Sequence, residues 1–367
     1  MAYYYTKSNI KMTNLTIVYN MGGLFDQEGQ HGISHLMEHL VCKTFKDEYS
    51  ELQKYNIDWN AITSSDYVKI YFTGMEKYFT ADWKRRLVKK ILGGINIPKE
   101  EFEAEKLVVL QEYGDTFNDP ANAENTMRKY YGYYNAIGKK EDIEKFTYKD
   151  MTAYYNKFMK KPSKIIEVGP SKTDFSKIPM NENFVVQPQK PKFKKNWKLE
   201  LEPAPENQKS DVNFIGKKAI SKSDYPAMAI AMNMLFNGLE SPVSSDIREK
   251  QHLTYGVGYG TIKFITYGYL TFGASTDKEN KDKLITGFKK FTDNVEKYLK
   301  KNRFKDTICQ IEVDREHRKI FKYTDVDKII NKGRLQIGNA YKKMTFEKVV
   351  ETAKKYFTTD NFEIIVE

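Results

Sequence analysis

Three of the five histidines in this 367-residue chain fall within nine residues, at His31, His35 and His39. The last two frame the sequence His35-Leu36-Met37-Glu38-His39. Ile33, Leu36, Met37, Leu40 and Val41 recur at helical spacing, so a helix is predicted from about residue 32 to 45. Residues four apart on a helix lie one turn above the other, which lets His35 and His39 aim two imidazoles at one ion. Glu38 falls beside the same face, where it can take a proton from metal-held water. The plainer reading, a pair of helix-surface histidines or one satisfied core histidine, fits less well in a chain so poor in histidine. A catalytic zinc also needs a third protein ligand and an open position.

The third ligand is expected on a second helix. Pro98 suits the first position of a helix running to about Tyr113, with Glu100 and Glu101 in its first turn. Glu105 and Glu112 are two turns apart and so share a face, together with Phe102, Val108 and Val109. Carboxylates on an apolar stripe are costly unless paired or bound to metal. An exposed Glu at the stripe's edge is the alternative. Read with the histidines, Glu112 is expected to ligate, and Glu105 to stand one layer out, steadying a ligand histidine or the water.

His-x-x-Glu-His followed by Glu-x6-Glu, here HLMEH at 35–39 and EKLVVLQE at 105–112, resembles the inverzincin or pitrilysin-like zinc metallopeptidases, the family of insulin-degrading enzyme and mitochondrial processing peptidase. His39 and Glu112 are 73 residues apart, within that family's spacing, and Gly32 precedes the motif as glycine commonly does there. Asn60-Ala61-Ile62-Thr63 is similar to the family's Asn-Ala-x-Thr segment. By resemblance Asn60, Ala61 and Thr63 lie on an edge strand that pairs with the substrate backbone. The stretch Ser241 to Tyr255 resembles the family's segment whose Arg and Tyr contact the substrate carbonyl, which implies that role for Arg248 and Tyr255. Two departures concern packing only: Thr44-Phe45 stands where Gly-Thr is frequent, and Cys42 replaces an aromatic or apolar residue. His31 occupies a position the family does not use for metal and is read as loop or helix-cap chemistry.

Strands are predicted at residues 15–19, 67–73 and 163–168, with helices at 81–95 and 150–159, Asp150 being the candidate N-cap of the latter. Pro170, Pro179, Pro188 and Pro191 fall among Ser, Lys, Asn and Gln, which reads as a linker. A second half repeats the order: strand at 212–215, helix at 225–239, strands within 254–272, helices at 279–299 and 302–318, strand at 362–366. The expected class is α+β: two similar α/β-sandwich units, each an antiparallel-rich sheet with helices on one face. The expected boundaries are 1–170 for the zinc-binding domain, 171–195 for the linker and 196–367 for a second domain without zinc.

The net charge of +11 comes from lysines scattered along the whole chain, without a nucleic-acid-binding signature, so no nucleic acid partner is expected. No apolar run approaches the roughly 20 residues of a membrane span. The first residues lack an apolar signal core, and Cys42 and Cys309 are the only cysteines. These features read as a cytoplasmic protein with two buried or inert thiols and no membrane partner. The resemblance implies one zinc ion per chain, a zinc endopeptidase acting on peptides or unfolded segments with Glu38 as general base, and pairing with a second copy or a related chain. A catalytically silent peptide-binding subunit of the same fold and a purely structural zinc are the alternatives.

Overall fold

The structure is a computed structural model that describes residues 3–117, 136–181, 209–238, 240–263, 266–320, 326, 329–330 and 334–366. The chain forms two compact units, Met1–Trp197 with Asp325–Ile330, and Lys198–Thr324 with Asn331–Glu367.

The first unit is built on strands β1 (Tyr3–Lys7), β2 (Met12–Tyr19), β3 (Asp58–Thr63), β4 (Val68–Met75) and β5 (Lys164–Gly169), in the order β1-β5-β2-β4-β3. Only β1 and β5 run parallel. β2 is central, with Leu15, Ile17, Val18 and Tyr19 fully enclosed, as its β-branched run implies. β3 is an edge strand, joined to β4 from Asp58 opposite Thr73 to Thr63 opposite Val68. The unit's longer helices are α1 (Ile33–Lys43), α2 (Tyr49–Lys54), α3 (Ala81–Ile91), α4 (Lys99–Phe117) and α5 (Tyr148–Tyr154).

Two features fix α1 and β3 in place. The five apolar residues predicted from the periodicity of α1 are all enclosed. Just past its end, Phe45 meets Trp59 of β3 and Phe72 of β4 edge-on, with ring centroids 5.1 and 5.4 Å away. Behind the sheet, the fully buried Lys84 of α3 is 3.0 Å from Glu167 and 3.1 Å from Glu76. Glu167 also accepts from the backbone and hydroxyl of Thr173, and Phe175 packs edge-on against Tyr3, so residues 173–175 join this unit's packing. The rest of the expected linker, from 182 on, lies outside the described residues.

Several local expectations change. Tyr148 opens α5 and Thr147 is its N-cap; Asp150 is the reciprocal partner three residues on in a capping box. α4 starts at Lys99, and Pro98 accepts its first backbone hydrogen bonds from Glu101 and Phe102. Val108 does not share the buried face of Phe102 and Val109 and is exposed.

The second unit holds strands β6 (Lys209–Gly216), β7 (Ile220–Ser221), β8 (Gly258–Lys263), β9 (Tyr267–Asp277) and β10 (Phe362–Val366). Their order is β10-β6-β9-β7, β8 also pairs with β9, and every pairing is antiparallel. α6 (Tyr225–Phe236), α7 (Lys281–Asp293), α8 (Lys301–Ile320) and α9 (Phe346–Tyr356) complete it. Phe214, Phe272, Phe288 and Phe291 form the aromatic centre of its core. Cys309 is exposed on α8, while Cys42 is buried. Among the described residues no helix is long and apolar enough to cross a membrane.

Candidate metal centre

The motif helix is held at its first turn. Gly32 precedes α1 with φ of 98°, a left-handed conformation that favours glycine. It has no side chain to cap the helix, and Asp26 supplies one. Asp26 Oδ2 accepts from Gly32 N–H at 2.8 Å and from the Ser34 hydroxyl at 3.1 Å, while Oδ1 accepts from Tyr154 at 3.3 Å. Burial pushes the Asp26 carboxyl up to about 8, against the opposing pull of these donors. Residues 138–142 close the other side. Lys139 N–H donates to His31 carbonyl at 3.2 Å, and His31 N–H donates to Asp142 at 3.1 Å. Gly138 lies so near Gly32 that an added Cβ would stand 2.2 Å from its Cα. His31 therefore lies in the turn that anchors the helix, its Nε2 3.5 Å from Glu28.

One and two turns further on, the His35 and His39 rings stand 4.9 Å apart and nearly perpendicular. Glu112 of α4 reaches both: Oε2 is 3.5 Å from His35 Nε2, and Oε1 is 3.7 Å from His39 Nε2. One donor atom from each of the three lies within 4.8 Å of the others. Glu105, one face-repeat earlier on α4, is 3.2 Å from His39 Nδ1 through Oε2. Burial, then the neighbouring His39, push the His35 imidazole down to about 3, so it stays neutral with a lone pair to offer. Two imidazoles and a carboxylate converging on one point are the donor types of a catalytic zinc, and the donor set fits that ion.

Glu38 sits beside this cluster and is only 9% exposed. Its Oε2 accepts from the Thr63 hydroxyl at 2.6 Å. Burial raises its carboxyl above the usual carboxylate range, partly offset by the Thr63 bond. A divalent cation alongside acts in the opposite direction. The structure thus brings His35, Glu38, His39, Glu105, Glu112 and Thr63 together in one unit. Asn60 and Ala61 lie nearby on β3, where Asn60 Oδ1 accepts from Ala61 N–H at 2.9 Å.

Residues 3–141 match the profile described as Insulinase (Peptidase family M16), and residues 167–310 match Peptidase M16 inactive domain. The chain belongs to the pitrilysin-like peptidase family M16. A curated relative, zinc protease PqqE of Helicobacter pylori, is 27% identical over 164 residues, 41% of this chain and 36% of the relative. The M16 chain thus matches about a third of that protein's length. A solved structure of a protease from Helicobacter pylori superposes with TM-score 0.76 at 15% identity, covering 99% of this chain and 95% of the other. The structure described as peptidase M16 inactive domain from Pseudomonas fluorescens gives 0.74 at 16%, covering 99% and 94%. At these identities the likeness is one of fold.

Arg248 and Tyr255 of the M16 chain lie in the stretch matched by the inactive-domain profile and belong to the second unit. Arg248 sits on a π-helical turn, Ser245–Lys250, a local widening often found at functional positions. Its guanidinium carbon lies 4.9 Å from the centre of the Tyr255 ring, and Tyr255 is 87% exposed. Arg248 Nε is 3.1 Å from Glu249, while the buried Nη1 has no partner among the described residues.

The sequence reading did not identify Asp26, Gly138 or Asp142 as parts of this arrangement, nor Lys43, whose Nζ lies 2.7 Å from Glu105 Oε1. Lys43 carried a usable signal, since it stands one helical turn beyond His39. Asp26, Gly138 and Asp142 meet α1 only through the tertiary fold.

Proposed function

We propose that this chain is a zinc-dependent endopeptidase that hydrolyses peptide bonds in peptides or extended, unfolded segments. The observation that carries the reading is the convergence of His35, His39 and Glu112 donor atoms within 4.8 Å, beside the carboxylate of Glu38. His35, His39 and Glu112 would hold one zinc ion per chain. Bound there, zinc supplies Lewis acidity, lowering the pKa of nearby water and polarising the peptide carbonyl. Glu38 takes a proton from the attacking water and delivers it to the leaving amine. Its raised pKa in an enclosed site suits a group that must both accept and release a proton. Glu105 holds His39 from behind.

Substrate binding falls to the edge strand. β3 offers backbone groups to an added strand, a mode that recognises extended chain largely regardless of side chains. Arg248 and Tyr255 are donors suited to an oxyanion developing at the substrate carbonyl. Pairing with a second copy or a related chain belongs to the same reading.

The test is cleavage of a mixed library of unfolded peptides by the purified protein, by protein stripped with 1,10-phenanthroline and restored with zinc, and by Glu38→Gln. Cleavage lost with chelator, regained with zinc and absent in Glu38→Gln supports the mechanism. One zinc per chain with no cleavage in any arm overturns it in favour of a peptide-binding subunit of the same fold.

A further inference from the structure

Glu105 does not face His39 alone. While its Oε2 lies 3.2 Å from His39 Nδ1, its Oε1 lies 2.7 Å from Lys43 Nζ. His39 and Lys43 are four residues apart on α1 and so lie on one side of it, one turn apart. A single carboxylate arriving from α4 therefore spans both. The Lys43 side chain is 26% exposed and that of Glu105 only 11%, so water competes little for the contact.

The bond to Lys43 has a consequence for His39. A carboxylate fixed at one oxygen can still turn about its last torsion, and fixed at both it cannot. A neutral imidazole carries its proton on either nitrogen, and an anionic acceptor at Nδ1 selects the Nδ1–H form. That leaves the Nε2 lone pair free on the side where Glu112 stands, 3.7 Å away. His35 has no such control: its buried Nδ1 lacks a partner among the described residues. Selection of tautomer within the donor set therefore runs through His39, Glu105 and Lys43.

We propose that Lys43 is a positioning residue of the metal centre, acting through Glu105 to fix the tautomer and aim of His39. The inference rests on the zinc reading of His35, His39 and Glu112 given above. Lys43 touches neither metal nor substrate; it holds the group that holds a ligand.

The alternative role is an ordinary ion pair tying α1 to α4. The two roles differ in readout. If the pair only ties the helices, removing Lys43 lowers the melting temperature of the metal-free protein and leaves zinc affinity nearly unchanged. If Lys43 positions His39, removing it weakens zinc binding and leaves the melting temperature of the metal-free protein nearly unchanged. The experiment compares wild type, Lys43→Met, Lys43→Arg and His39→Ala, each full length. Zinc dissociation constants come from competition with a fluorescent chelator, melting is followed on the stripped proteins, and the His39 tautomer is read from nitrogen-15 histidine spectra. Lys43→Met is expected to weaken zinc about tenfold, in line with other supporting contacts behind metal ligands. It should also raise the Nε2–H fraction of His39, and Lys43→Arg should restore both. Lys43→Gln, which keeps polarity without charge, serves if the Met variant does not fold. Equal zinc affinity in wild type and Lys43→Met, with zinc lost in His39→Ala, overturns this inference alone. Wild type that holds no zinc overturns both this inference and the proposed function.

Discussion

The Thr63 hydroxyl donates to Glu38 Oε2 at 2.6 Å, which ties the last residue of the edge strand to the side chain between His35 and His39 in sequence. The strand assigned to substrate and the helix assigned to chemistry are therefore linked through one hydrogen bond. By resemblance Thr63 belongs to the substrate-pairing segment, and the geometry adds support of Glu38.

Replacing Thr63 with Val keeps the β-branched shape and removes the donor. Glu38 then loses a partner in an enclosed site, where a missing hydrogen bond to a charged group costs about 1.5–3 kcal/mol. Steady-state kinetics on a cleaved peptide should show kcat lowered roughly tenfold or more with KM changed little. Thr63→Ser, which restores the hydroxyl, should recover most of kcat. A loss confined to KM would assign Thr63 to substrate contact alone.

The start of α1 predicts a stability effect that comes from backbone packing alone. Gly138 has φ of 90° and faces Gly32, and a Cβ added to Gly138 would lie 2.2 Å from Gly32 Cα and 2.4 Å from the His31 carbonyl. Backbone cannot swing aside as a flexible side chain can. Gly138→Ala should destabilise the protein by about 2 kcal/mol or more in urea unfolding, combining left-handed strain with overpacking. Gly29→Ala is the control: its φ is 78°, but no atom lies within 4 Å of the added Cβ. It should cost only the conformational part, about 1 kcal/mol.

Asp26 predicts the pH dependence of that turn. Its pKa of about 8 in the folded protein lies above the 3.8 of an ordinary Asp, because burial disfavours the charged form. The proton is thus held more tightly folded than unfolded. The resulting contribution is complete below about pH 4, declines as pH rises, and is lost above about pH 8. Each pH unit across that window is worth up to about 1.4 kcal/mol from this one group. Asp26→Asn cannot ionise, so the stability difference between variant and wild type should grow in the variant's favour from pH 5 to 8. A constant difference across that range would mean that the three donors keep Asp26 charged throughout.

What could be read in advance follows from periodicity and what could not follows from contact. The motif helix was legible because its apolar positions repeat at 3.6 residues and all five are enclosed. The buried stripe of α4 runs through Phe102, Glu105 and Val109, with the partly exposed Glu112 continuing it. Val108, six residues from Phe102, falls off that line, which is why it faces outward. The helix Phe346–Tyr356 has Val349 and Ala353 buried at helical spacing and was within reach of the same reasoning. β1 was not: Tyr3–Lys7 has no clear alternation, and its place beside β5 is set by parallel pairing across the whole first unit. Apart from Glu105, the support around the donors was illegible for a similar reason. Asp26, Thr63 and Gly138 reach α1 from three separate segments, and nothing in their spacing marks the meeting.

Arg248 and Tyr255 predict a result that distinguishes action within one chain from action across a pair. Arg248 has a buried Nη1 without a partner among the described residues, and its guanidinium lies against an exposed Tyr255 ring. Such a group can donate to an oxyanion, and removing one donor of that kind costs on the order of 100-fold in kcat. Arg248→Ala should therefore lose most activity while keeping its zinc, because it leaves His35, His39 and Glu112 untouched. Glu38→Gln should do the same for a different reason, the loss of the base. Mixing the two inactive proteins then decides the matter. If Arg248 serves the site of a second copy, a mixed pair contains one complete site, and an equal mixture should recover about a quarter of wild-type activity. If Arg248 serves its own chain, no mixed pair contains a complete site and activity stays at the level of the separate variants. Recovery that rises with protein concentration and saturates would also give the affinity of the pair.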